Sequence, residues 1–68
     1  MSTLGGDLSR EMLRVRDEVM PSYKVGGPGG VLSLAMMRRD LDRAAAALSN
    51  GSVREMSASY EALKEYTL

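Results

Sequence analysis

The sequence contains no cysteine and no histidine. Without cysteine no disulfide can staple the fold, and a reducing compartment is compatible with it. Without histidine the usual zinc ligand sets are excluded, and no imidazole is present to activate a serine, threonine or tyrosine hydroxyl. Charge of either sign in excess is also missing, because nine basic and nine acidic residues cancel. A neutral chain has no bulk attraction to nucleic acid or anionic lipid. Long apolar runs are absent as well. The longest uncharged stretch, Val25 to Met37, has 13 residues, too few to span a bilayer. The N-terminus lacks the basic and apolar regions of a signal peptide, so a cytoplasmic protein is expected.

Sixty-eight residues make a single domain with one thin core. Ordering them costs roughly 1.5 kcal/mol per residue, on the order of 100 kcal/mol in all, which burial must offset without covalent help. Close helix packing or association with a second copy is the remaining means.

Good helix formers dominate Val31 to Leu48, VLSLAMMRRDLDRAAAAL. Leu34, Met37, Leu41, Ala44, Ala45 and Leu48 recur at helical steps and form its inward face. Before it, Leu8, Met12, Val15 and Val19 make a narrow stripe on a first helix. Asp7 is the expected N-cap, and Pro21 should end the helix near Met20. Arg14 is spaced to pair with Glu11, Asp17 or Glu18. The connection PSYKVGGPGG, residues 21–30, is too rich in glycine and proline for a regular element, with Tyr23 and Val25 as its anchors. Ser49-Asn50-Gly51 ends the central helix, Gly51 or Asn50 taking the left-handed position. Ser52-Val53-Arg54-Glu55 is a capping box that starts a third helix at once. Val53, Met56, Tyr60, Leu63 and Tyr66 or Thr67 make its inner face. The predicted architecture is all-α: three helices at about 7–20, 30–48 and 52–66 in one domain, the last two forming an αα-hairpin.

Chemical motifs are sparse. Gly26 to Gly30 lacks the G-K-[ST] ending of a phosphate loop and follows no strand, so it reads as a connector. Asp40 with Asp42, and Asp17 with Glu18, do not share helix faces. Each acid lies within helical reach of an arginine, as in Arg38 to Asp42, Arg39 to Asp42 and Asp40 to Arg43, which describes a solvated ion-pair lattice. No catalytic, cofactor or metal site is expected, and the chain does not read as an enzyme. A helix-turn-helix reading is weakened by Ser57, which falls where a buried aliphatic is needed. It is weakened further by the net charge of −1 on the third helix, from Arg54 and Lys64 against Glu55, Glu61 and Glu65.

One feature strains against a small monomer. Val31, Leu32, Leu34, Ala35, Met36 and Met37 cover almost the whole circumference of the central helix near its start. Leu32 and Met36 lie on a side that continues toward Arg39 and Arg43. Either the first helix crosses this side or a second molecule covers it, most simply in a twofold dimer. Methionine and arginine are enriched at interfaces, so Leu32, Met36, Met37, Arg38, Arg39 and Tyr66 are the candidate partner or dimer contacts.

The VMPSY segment at residues 19–23, the Gly/Pro link, LAMMRRDLDRA at 34–44 and the final YEALKEY at 60–66 together resemble the small helical early proteins of Mu-like transposable phages of pseudomonads. The likeness spans roughly residues 15 to 68 and carries no catalytic motif. That class includes an anti-quorum-sensing protein, a small helical dimer. It blocks a LuxR-type transcriptional activator and the ATPase that extends type IV pili. The resemblance implies a non-enzymatic inhibitor that masks host protein surfaces in the host cytoplasm, with itself and a host protein as partners. Alternatives are a helix-turn-helix-like DNA-binding regulator and an antitoxin-like accessory subunit.

Overall fold

The computed structural model describes residues 3–23 and 28–67, the side chains of 28 and 29 excepted. Helix α1 (Leu4–Arg14) runs without a break into a π-helical segment (Val15–Val19) and then α2 (Met20–Tyr23), forming one rod. Helices α3 (Pro28–Asn50) and α4 (Val53–Lys64) follow. The described residues contain no strand, and none of their helices is long and apolar enough to cross a membrane.

The first rod begins earlier and ends later than its sequence suggests. Thr3, not Asp7, is its N-cap: the Thr3 Oγ1 accepts a hydrogen bond from the Gly6 N–H at 2.9 Å. Asp7 instead sits in the first turn, 3.5 Å from Arg10, where its charge suits the helix dipole. Two poor helix formers, Gly5 and Gly6, hide this start from a propensity reading. Pro21 does not stop the rod either. A proline inside an α-helix clashes with the carbonyl four residues back, and here the widened π turn lies immediately before it. The same extra width turns Val19 and Met20 inward together, so both are buried.

Helix α3 begins at Pro28, two residues before the predicted start. Proline suits a first helical position because its fixed φ is already helical and its missing N–H would have no partner there. Gly30 follows because the rod passes very close: a Cβ on it would stand 2.8 Å from the Tyr23 carbonyl oxygen. Val25 lies outside the described residues. At the other end the expected signals hold. Gly51 has φ 69°, and its N–H donates to the carbonyls of Ala47 (3.0 Å) and Leu48 (3.3 Å). Ser52 Oγ accepts from the Glu55 N–H at 3.3 Å, the first half of the capping box.

Among the described residues the core is one cluster of Leu8, Val15, Val19, Met20, Met37, Ala44 and Leu63, with Met12, Tyr23, Leu34, Leu41, Leu48, Met56, Tyr60 and Tyr66 packed around it. Two inward assignments fail. Ala45 is exposed and Ala47 buried in its place, while Val53 is exposed and Ser59 lies inside. The reason is the seat of α4, which lies on the Asp40–Ala47 side of α3, one flank away from Ala45. Arg14 ties the two ends of the fold together. Its guanidinium bonds Glu11 at 2.9 Å and donates to the Leu63 carbonyl at 3.1 Å, a cation placed at the C-terminal end of α4.

The two helical glycines should respond oppositely to alanine. Gly5 has room, since an added Cβ would lie 3.7 Å from Leu48 Cδ2, so Gly5→Ala should raise unfolding stability by about 0.5–1 kcal/mol. Gly30→Ala should lower it by about 1–2 kcal/mol, because backbone must move. Urea titration followed by circular dichroism measures both.

Candidate interaction surface

The six candidate contact residues do not form one patch. Leu32 (67% exposed) and Met36 (41%) share a stripe of α3 with the exposed Arg39 and Arg43, at steps of four, three and four residues. The first rod does not cross this stripe; it packs on α4 and along the opposite flank of α3. Arg38 is exposed on that opposite flank. Met37 is 1% exposed and belongs to the core, so it offers nothing to a partner. It falls in line with Leu34, Leu41, Ala44 and Leu48, which face inward.

Tyr66 also turns inward. Its hydroxyl donates to Asp40 Oδ2 at 2.5 Å, and Arg39 Nη2 approaches Asp40 Oδ1 at 3.5 Å. Asp40 is buried. Loss of contact with water, and then the carboxylate beside it, push the Tyr66 hydroxyl pKa up to about 12. The expected lattice of Arg38, Arg39, Asp42 and Arg43 pairs is not formed among the described residues. Asp40 is instead taken up at the α3–α4 interface. This bond anchors the chain just beyond α4 to the middle of α3. Met36 lies one turn before that anchor, where α4 no longer covers its side.

The second exposed feature was not visible in the periodicity. The rod and α3 meet near their ends, at Gly5 with Leu48 and at Tyr23 with Gly30. Between these points an open groove of about 580 Å³ remains, with Met12, Met20, Leu41 and Leu48 on its apolar walls. Leu13, 51% exposed, stands on its lip. Leu13 lies just outside the Leu8–Met12–Val15–Val19 stripe, and only that displacement marks it in the sequence. Arg16, Arg38 and Asp42 rim the groove. Arg16 is held by Asp17 at 2.8 and 3.1 Å. That hydrogen-bonded pairing raises the guanidinium pKa and lowers that of the carboxyl. Apolar walls with a charged rim suit an amphipathic segment. The described residues include no group of three or more metal-ligating side chains.

No family model, curated protein or solved structure matches this chain.

The Tyr66–Asp40 bond makes a pH prediction. Tyrosine in the unfolded chain ionises near 10, below its folded value of about 12. The bond's stabilisation is therefore complete below about pH 10 and is lost as pH rises toward 12. Tyr66→Phe should cost about 1–3 kcal/mol at neutral pH by leaving Asp40 short of a donor. It should also remove the tyrosinate absorbance step near pH 12. An unchanged titration curve would place the ionisation elsewhere.

Proposed function

We propose that the protein is a non-enzymatic, homodimeric interaction module that binds and masks another protein. The observation that carries this reading is the Leu32–Met36 stripe: large apolar side chains exposed beside the arginines Arg39 and Arg43, beyond the reach of α4 and of the first rod. Exposed apolar side chains bordered by arginine have the composition of a recognition surface. The arginine fringe supplies orientation, and the flexible Met36 adapts to the opposing surface.

The resemblance to the small early proteins of Mu-like phages gives this module a target class. On that reading the protein is a phage-encoded inhibitor acting in the host cytoplasm. It covers a LuxR-type quorum-sensing activator, the type IV pilus assembly ATPase, or both. Masking needs no chemistry, only a preformed surface that competes with the partner's own contacts.

The test is direct binding to purified candidates of these two kinds. Wild-type protein should co-elute with at least one, and Leu32→Asp with Met36→Asp should abolish the complex while leaving the circular dichroism spectrum unchanged. Failure of the wild type to bind either would remove the inhibitor reading. Equal binding by the double variant would remove the stripe.

A further inference from the structure

Along the flank of α3 that borders the groove, Val31, Ala35, Arg38, Asp42, Ala45 and Ser49 repeat at steps of four, three, four, three and four. All six are exposed. This is the spacing of a coiled-coil seam, and on this helix it has no partner among the described residues. The spacing is also symmetric about position 40, with opposite charges at the inner pair and alanines at the next. Val31 mirrors Ser49, Ala35 mirrors Ala45, and Arg38 mirrors Asp42.

We infer that this seam is the docking surface for a second copy of the chain, with the two α3 helices packed antiparallel about a twofold axis at Asp40. The inference rests on the homodimer reading above and adds its surface and register. Antiparallel pairing sets each Arg38 against the other copy's Asp42, giving two reciprocal ion pairs. Neither side chain has an ion-pair or hydrogen-bond partner within its own chain among the described residues. The alternative parallel pairing would set arginine against arginine and aspartate against aspartate, so charge alone selects the orientation. Ala35 opposite Ala45 provides small layers on both sides of the charged centre. Small residues at the contact bring helix axes toward the lower end of the usual separation, about 8 Å.

The groove supplies the second argument for the same occupant. Arg38, Asp42 and Ala45 belong both to the seam and to the groove's α3 side. A helix seated on the seam therefore lies beside the open groove and reaches the exposed Leu13 on its far lip. A second copy closes apolar surface that one chain leaves wet. Leu32 and Met36 lie off the seam, while Arg39 and Arg43 share a surface depression with Ala35, Arg38 and Asp42, so a second copy on the seam borders the arginine edge of the Leu32–Met36 stripe.

Sedimentation equilibrium of the wild type, Arg38→Asp, Asp42→Arg and the doubly exchanged R38D/D42R chain tests the register. Wild type should dimerise. Each single reversal should weaken self-association by about tenfold or more, through like charges facing each other. The double exchange should restore it to within a few-fold. A dimer indifferent to the single reversals, or one the double exchange fails to rescue, would overturn the seam while leaving the homodimer reading intact. A wild type that stays monomeric would end both. Disulfide mapping gives an independent readout, since the chain has no cysteine of its own. An equal mixture of Ala35→Cys and Ala45→Cys chains should oxidise mainly to the mixed dimer. Random or self-linked products would contradict the antiparallel register.

Discussion

Everything in this fold depends on the junction of three helical rods in one apolar cluster, to which each contributes a fully buried side chain: Leu8, Met37 and Leu63. Burying such a side chain is worth roughly 1.5–3 kcal/mol, and truncating one to alanine costs about 2–5 kcal/mol. A domain of this size has only about 3–5 kcal/mol to lose. The remaining contacts serve that junction. Gly30 lets the Tyr23 carbonyl approach, Arg14 closes the C-terminal end of α4, and Tyr66 pins the following residues to Asp40. With no disulfide to help, three rods around one small plug can shelter only one side of α3.

That constraint produces the surface. Helix α3 is the longest helix, and its neighbours cover it unequally: α4 leaves Met36 exposed, and an open groove lies between the first rod and α3. Two flanks are left. One carries Leu32 and Met36 beside Arg39, which reaches Asp40, and Arg43, an apolar stripe with a basic edge. The other carries a seam whose charges cancel against its own mirror image. Their different character is the physical basis for assigning a foreign partner to the first and a second copy to the second.

How much of the fold is legible in the sequence follows from which forces are local. The Leu8–Met12–Val15–Val19 stripe, the Gly51 exit and the Ser52 cap depend on spacing and on one residue's backbone freedom, and a sequence displays both. The exposure of Leu32 and Met36 follows from counting apolar positions around one helix. What escapes is set by tertiary contact. The π turn that precedes Pro21 is not displayed by helix propensity. Asp40 reads as one more solvated acid until Tyr66 arrives from 26 residues away. Met37 is an exception of another kind: its composition beside Met36 and Arg38 suggests a contact, but the helical spacing that sets it with Leu34 and Leu41 already turns it inward. The groove lip at Leu13 is invisible without knowing how far apart the rod and α3 stand.

The central proposal is that one copy leaves part of its own α3 uncovered and that association supplies the missing shelter. Its most direct test is the dependence of unfolding on protein concentration. Association that favours the folded state raises the apparent stability as concentration rises. The urea midpoint, measured across a hundredfold range of concentration, should therefore climb steadily. A midpoint that stays fixed across that range would show that the single chain is self-sufficient, and would contradict the account.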